Sequence, residues 1–298
     1  MTPDLPAAQP PSWFRDALAA RPSDGEVRWA GAAIRFRCWG PPGAPAVVLV
    51  HGAAAHARWW DHVAPLLGPR LRVVALDLSG HGASDRRPAY TIELWAQEVL
   101  AVANAACGAP PVLVGHSMGG AVAVAAAAVR GRALGAVVLL DTAIERVPPE
   151  APLEIARRSR VSRPLRVYAS AEEAARRFRT VPAQPESQPY VLAHIARTSV
   201  TRVEGGWTWQ VDPRIFGHDR LPLDGLGAVG CPVTLIRAEH GIISPGLQEK
   251  MIRASRSRLR VVPLPAAHHH MMIDRPLETI AAIREQLPSS VSASSQIV

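Results

Sequence analysis

Cysteine is scarce in this chain of 298 residues: Cys38, Cys107 and Cys231 are the only three, odd in number and far apart. A disulfide framework needs paired thiols and a structural zinc site needs clustered ones. This spacing argues against both and fits buried thiols in a reducing compartment. Lysine is scarcer still, with Lys250 alone. The formal charge of +8 therefore rests on arginine, densest at Arg157, Arg158, Arg160, Arg163 and Arg166 and at Arg253, Arg256, Arg258 and Arg260. Spread along a chain rich in Ala, Arg and Pro, these read as solvated surface charge rather than a nucleic-acid footprint. No uninterrupted apolar run approaches the ~20 residues of a membrane-spanning helix. The opening "MTPDLPAAQPPSWF" has no basic segment followed by an apolar one, so a secretory signal is not expected. Together these absences predict a soluble, cytoplasmic protein with no nucleic-acid or membrane partner. No internal repeat is seen, and the oligomeric state is left open.

What is present is a core. Hydrophobic residues make up 48% of the chain, ample for a buried interior. Residues 1–25 are rich in Pro and Ala and read as a loosely packed arm. "EVRWAGAAIRFRCWG" (26–40) alternates apolar and polar residues around Ala30-Gly31, the pattern of a β-hairpin. Short apolar runs follow at 46–52, 71–80, 111–117, 135–142, 232–239 and 260–265. Helical patterns fall near 55–67, 91–107, 118–131, 246–256 and 277–287. Continuous apolar strands separated by helices predict an α/β fold, a mostly parallel sheet covered by helices on both faces. The rhythm breaks at 143–229, where amphipathic pieces are separated by prolines and no strong strand is expected. That segment reads as a helical cap inserted into a core made of 26–142 and 230–287. The tail 288–298, "PSSVSASSQIV", reads as mobile.

One stretch carries chemistry. In "PVLVGHSMGGAVAVAAAA" (111–128), Ser117 stands between Gly115 and Gly119 in a G-x-S-x-G pattern, after an apolar strand and before an alanine-rich helix. A sharp strand-to-helix turn lifts the hydroxyl to the sheet edge, and larger neighbours would collide in it. The helix N-terminus then offers free N–H groups to negative charge developing nearby. Ser117 is the candidate nucleophile.

At this point the sequence resembles the α/β-hydrolase superfamily, from about 26 to 287. The resemblance rests on "LVHGAAAHARWW" (49–60), "LDLSGHGASDRRP" (76–88), "VGHSMGG" (114–120) and "PAAHHHMMIDRP" (265–276). It implies the α/β-hydrolase fold and, on many members of that fold, a Ser/His/acid triad. It also implies that Ala53 and Met118 donate backbone N–H groups to an oxyanion. Of three consecutive histidines, the family's spacing of seven residues to a proline, here Pro276, selects His269 as the base. A metal on "HHH" is disfavoured, because consecutive side chains diverge while catalytic zinc needs convergent ligands. No metal and no cofactor are expected. Asp77 and Asp85 fall in the family's "D…GHGxSD" loop and are expected to hold that loop.

The third member of the triad is not where the resemblance places it. The usual acid closes the strand matching "PVTLIRAEHGIISP" (232–245), and that position is Gly241. Two carboxylates stand for it. Asp141 ends the strand after the nucleophile helix, as in some branches of the superfamily; Glu239 lies two residues before the empty position. The order Ser117, Asp141, His269 follows the fold's order of nucleophile, acid and base and favours Asp141. The expected activity is a cofactor-independent serine hydrolase cleaving a small-molecule carboxylic ester or lactone through an acyl-enzyme. A cofactor-free haloperoxidase, a carbon–carbon bond hydrolase and a ligand-binding relative with weak turnover remain alternatives. Trp59, Trp60, Tyr190, Trp207 and Trp209 are candidates to wall an apolar pocket.

Overall fold

The alternation in 23–39 forms two antiparallel strands, β1 (Ser23–Trp29) and β2 (Ala32–Trp39), joined by a turn at Ala30-Gly31. The computed structural model describes residues 9–145, 150–161 and 163–287. The expected tail at 288–298 lies outside the described residues. Six mutually parallel strands continue the sheet: β3 (Ala46–Val50), β4 (Arg72–Leu76), β5 (Val112–His116), β6 (Ala136–Leu140), β9 (Val233–His240) and β10 (Leu259–His268). Two further strands, β7 (Val200–Val203) and β8 (Gly206–Trp209), pair with each other away from this sheet. The large sheet runs β1-β2-β4-β3-β5-β6-β9-β10, with β2 antiparallel to β4.

Nine α-helices complete the described chain: α1 (Ser12–Ala19), α2 (Ile92–Ala106), α3 (Met118–Arg130), α4 (Pro152–Arg158), α5 (Ala171–Arg176), α6 (Pro189–Thr198), α7 (Pro245–Ala254), α8 (Met271–Asp274) and α9 (Pro276–Arg284). All residues of β3 and β5 are buried, and their side chains divide between two cores. Val48 and Val50 pack with α2 and α3 on one face; Val47 and Leu49 pack with α1 and α9 on the other. This two-sided burial explains why β3 is apolar throughout and β5 apolar up to its closing His116. Helix starts follow the sequence. Thr91 caps α2 by accepting from Leu94 N at 3.0 Å, and Ser244 caps α7 by accepting from Leu247 N at 3.2 Å.

Four expectations need correction. Residues 55–67 form two 3-10 turns, Ala57–Trp60 and Ala64–Leu66, instead of a helix. Pro65 lacks the N–H that a continuous helix would use there. The arm is not loose throughout: Phe14 in α1 is buried and packs edge-on against Tyr190 with ring centroids 4.9 Å apart. Between β6 and β9 the chain forms α4, α5 and α6 as its pattern implied, but also the β7–β8 hairpin, which turns at Gly205 with φ +79°. Of the cysteines only Cys38 is buried; Cys107 and Cys231 are half-buried, and all three are free. No helix among the described residues is long and apolar enough to cross a membrane.

Candidate active site

The elbow at Ser117 is built by close approach. Ser117 has φ 53° and ψ −121°, a backbone held between β5 and α3. A Cβ at Gly115 would lie 2.4 Å from the Gly119 carbonyl oxygen, and one at Gly119 would lie 2.4 Å from the carbonyl oxygens of Val50 and His51. Any larger residue would push the turn off the sheet, which is why glycine flanks the serine on both sides. The Ala53 and Met118 residues line the same small cavity as Ser117. Neither backbone N–H has a hydrogen-bond partner among the described residues.

Of the three histidines, the structure brings His269 to the serine. Ser117 Oγ lies 3.1 Å from His269 Nε2, and His269 Nδ1 lies 2.8 Å from Asp141 Oδ2. His269 is buried and Asp141 wholly so. In this arrangement Nδ1–H donates to the carboxylate while Nε2 accepts from the hydroxyl, the tautomer a general base needs. His268 faces Asp274, with Nδ1 3.0 Å from Oδ2. His270 Nε2 donates to the Pro182 carbonyl at 3.1 Å.

Asp141 fills the space that Gly241 leaves. It follows β6 with φ +42°, its N–H donating to the Ile236 carbonyl at 2.9 Å. That conformation turns the side chain toward the end of β9. A Cβ at Gly241 would lie 2.3 Å from both Asp141 carboxylate oxygens, so no side chain fits at 241 while the carboxylate is there. The Ile242 N–H donates to Oδ2 at 2.9 Å and fixes it further. The rival, Glu239, is exposed and accepts from the Ala266 N–H at 2.7 Å, holding the loop before His269. Ala266 itself has φ +54°, a left-handed conformation that glycine adopts most easily.

The surrounding loops are held by polar groups whose hydrogen bonds run to the backbone. Asp77 accepts from the N–H groups of Ala57 and Ala83, at 2.6 and 2.9 Å, and burial pushes its carboxyl up to about 6. Asp85 accepts from the Ala33 N–H at 2.8 Å. His51 accepts from the Leu78 N–H at 3.1 Å, and burial pulls its imidazole down to about 4. Burial also pulls His270 down to about 3 and His116 well below the ordinary range, so both stay neutral beside His269. His116, His269 and His270 place ligand atoms within 4.8 Å of one another, so two of the three consecutive side chains do converge. Both ring nitrogens of His269 are engaged by Ser117 and Asp141, so a metal could bind there only by breaking that chain.

A sequence profile of the alpha/beta hydrolase family matches residues 47–283, more than half of the chain. The chain belongs to the α/β-hydrolase family. Among hydrolases of this family, an esterase of Mycobacterium tuberculosis, Rv0045c, is 27% identical over 260 residues, 86% of each chain. The lipase LipV of the same organism is 40% identical over 111 residues, which span 37% of this chain and only 42% of LipV. A solved structure of the Rv0045c esterase superposes with a TM-score of 0.73 at 24% identity, covering 92% of this chain and 96% of that one. The thioesterase domain of the curacin biosynthetic pathway gives the same TM-score and identity, covering 89% of this hydrolase and 98% of that chain. At that identity both likenesses speak for the fold.

Of the aromatic residues expected to wall a pocket, Trp59 and Trp209 line a large cavity beside Ala53. Trp60 is buried in the core, Tyr190 packs on α1, and Trp207 pairs its backbone with Tyr168. Phe178, Phe216 and three arginines on the cavity wall were not singled out by the sequence. Arg160 alone carried a signal, its place in the arginine-dense group at 157–166, which is indistinguishable from surface charge without the fold.

Proposed function

We propose that this α/β hydrolase is a cofactor-independent serine hydrolase of carboxylic esters or lactones. Ser117 is the nucleophile, His269 the general base, Asp141 its orienting acid, and the Ala53 and Met118 N–H groups the oxyanion donors. The observation that carries the reading is the continuous hydrogen-bonded chain from Ser117 through His269 to Asp141, at 3.1 and 2.8 Å. Ser117 Oγ attacks the carbonyl as its proton passes to His269 Nε2. His269 then returns that proton to the departing alkoxide, leaving an acyl-serine. Water, deprotonated by the same imidazole, displaces the acyl group and regenerates the hydroxyl, so one ester and one water give one acid and one alcohol. The imidazolium formed in each half-reaction sits against the Asp141 carboxylate.

Residues 143–229 serve as the cap, a role supported by Phe178, Trp209 and Phe216 lining the cavity next to Ala53. We place the protein in the cytoplasm on the strength of three unpaired cysteines. The Asp141 carboxylate above Gly241 favours turnover over a binding-only relative, since the triad position is filled from another strand. The test is labelling with a fluorophosphonate followed by a panel of p-nitrophenyl esters and lactones, for the parent and Ser117→Ala. The parent should label and turn over esters, and the alanine variant should do neither while keeping its thermal midpoint. Parental ester turnover by Ser117→Ala would overturn the mechanism.

A further inference from the structure

Two cavities meet at Ala53. The smaller, about 140 Å³, contains Ser117 and Met118, with mainly apolar walls that include Ile92, Ala121 and Leu221; Arg157 and Arg220 also reach it but are held by Glu154, and His218 completes it. The larger, about 380 Å³, is walled by Trp59, Leu165, Phe178, Trp209, Val211 and Phe216. Its size is that of a small-molecule site, and its lining is mainly apolar. Arg160, Arg177 and Arg179 also line it, and no acidic residue does among the described residues.

The arginines differ in what they already hold. In the same segment, Arg157, Arg158 and Arg220 share the buried Glu154, and Arg158 also reaches Asp219. Arg179 donates to the carbonyls of Arg176 and Phe178, closing its own loop. Arg160 has its guanidinium over the Phe216 ring, 5.3 Å from the centroid, and no carboxylate partner among the described residues. Arg177 is exposed and likewise has no carboxylate partner among the described residues. A guanidinium laid on an aromatic wall has given up part of its hydration without gaining a counter-charge. A ligand filling the cavity would strip more water from it, and an anionic oxygen arriving with that ligand would restore charge-assisted hydrogen bonds.

We propose that the substrate is an ester bearing an anionic group, a carboxylate or a phosphate, on the part that fills the larger cavity, where Arg160 and Arg177 bind it. The part in the smaller cavity is short and apolar. This deepens the ester-hydrolase reading and rests on it.

The test compares acetyl esters of 4-hydroxybenzoate and of 4-phosphonooxyphenol with the uncharged 4-hydroxybenzamide ester, which has the shape of the first. The parent should favour the anionic esters, chiefly through a lower KM, and added NaCl should erode that preference. The carboxylate and phosphate arms show which anion is preferred. In Arg160→Gln/Arg177→Gln the anionic-to-neutral ratio of kcat/KM should fall roughly 10- to 100-fold, the range for lost charged hydrogen bonds. Because each variant supplies its own neutral reference, partial unfolding does not affect the ratio. Equal kcat/KM for charged and neutral esters in the parent, or a ratio unchanged in the variant, would overturn the proposal while leaving the hydrolase reading in place. Failure of Ser117 to label with a fluorophosphonate, with no ester cleaved, would instead remove the reading underneath it.

Discussion

Gly241→Ala should disable the enzyme without altering any residue of the proposed triad. The backbone at 241 accommodates an ordinary L-residue, so the cost lies in contact alone. The added methyl would sit 2.3 Å from both Asp141 oxygens and 2.5 Å from its Cγ. Relief to an ordinary contact requires the carboxylate to move by about 1 Å, and a displacement of that size at a reacting group costs on the order of 10²-fold. Asp141 has little freedom to absorb it, because its N–H is held by the Ile236 carbonyl at 2.9 Å and Oδ2 by the Ile242 N–H at 2.9 Å. The motion falls on the 2.8 Å bond to His269 Nδ1. Complete loss of an orienting carboxylate costs about 10⁴-fold in kcat, so the expected loss lies between about 10²- and 10⁴-fold. KM should change little, since position 241 does not line either substrate cavity. The assay is steady-state ester hydrolysis, with fluorophosphonate labelling kinetics as an independent readout of Ser117 reactivity and a thermal melt to check the fold. Activity within threefold of the parent would refute the claim that these two positions compete for one space.

Three further outcomes follow from the same geometry. Asp141→Asn should lower kcat by about 10³- to 10⁴-fold, whereas Glu239→Gln, which keeps an oxygen for the Ala266 N–H, should lower it by less than about 10-fold, the scale of one exposed hydrogen bond; the reverse order in steady-state kinetics would place the acid on β9. His269→Ala should cost at least about 10²- to 10⁴-fold as a lost general base, and His268→Ala and His270→Ala much less, because those side chains face Asp274 and Pro182; a larger loss at 268 or 270 would show the base misassigned. Stability should fall as pH drops below 6.5: burial pulls His51, His62 and His218 down to about 4 and His56 and His270 to about 3. The unfolded chain therefore takes up these protons first, and each imidazole removes up to ~1.4 kcal/mol per pH unit between 6.5 and its folded value. Asp77, raised to about 6 by burial, works in the opposite direction between about 4 and 6, as does Glu98, also raised by burial, but these are two groups against seven, since burial lowers His81 and His116 as well. A thermal midpoint at pH 5 equal to or above that at pH 7.5 would contradict this.

The legible parts of the fold were those where local pattern and tertiary burial agree. The parallel strands are mainly apolar because both faces are covered, and each begins and ends within a few residues of its expected place. The elbow was legible because its steric demand falls on residues adjacent in sequence. The β7–β8 hairpin was not, since its strands have four residues each and only half-buried faces, too short for a clear alternation. Phe14 looked like part of a loose arm because its partners, Tyr190 and His62, are distant in sequence. The acid is a similar case: chain order favours Asp141 over Glu239, but the geometry that separates them is between strands distant in sequence. Choosing Asp141 over Glu239 on geometry requires knowing that β6 and β9 are neighbours, which only the sheet order supplies.

That adjacency explains how the carboxylate can come from either strand. Leu140, the last residue of β6, pairs with Ile236 within β9, and β9 runs on to His240, so Gly241 follows the longer strand and is met there by the carboxylate that Asp141 extends beyond the end of β6. At φ +42°, Asp141 turns its side chain across to the neighbouring strand. A side chain on 241 would point to the same place from the other side, since its Cβ would lie 2.5 Å from the present Cγ. A carbon–carbon bond is about 1.5 Å, so an aspartate at 241 can set its own carboxylate within roughly 1 Å of the present one. The two positions therefore form one site with a single carboxylate. Asp141→Gly alone should abolish most turnover and at the same time relieve the left-handed backbone there. Adding Gly241→Asp should recover at least ~10-fold in kcat, short of parental activity because a residual ~1 Å error is expensive at a triad. The recovered activity should still require His269, shown by its loss in the triple variant with His269→Ala. If the double variant folds, binds substrate with parental KM and turns over no faster than Asp141→Gly, then overlap in space is not sufficient. The Ile242 N–H that now fixes Oδ2 at 2.9 Å would then be as necessary to the acid as the carboxylate itself.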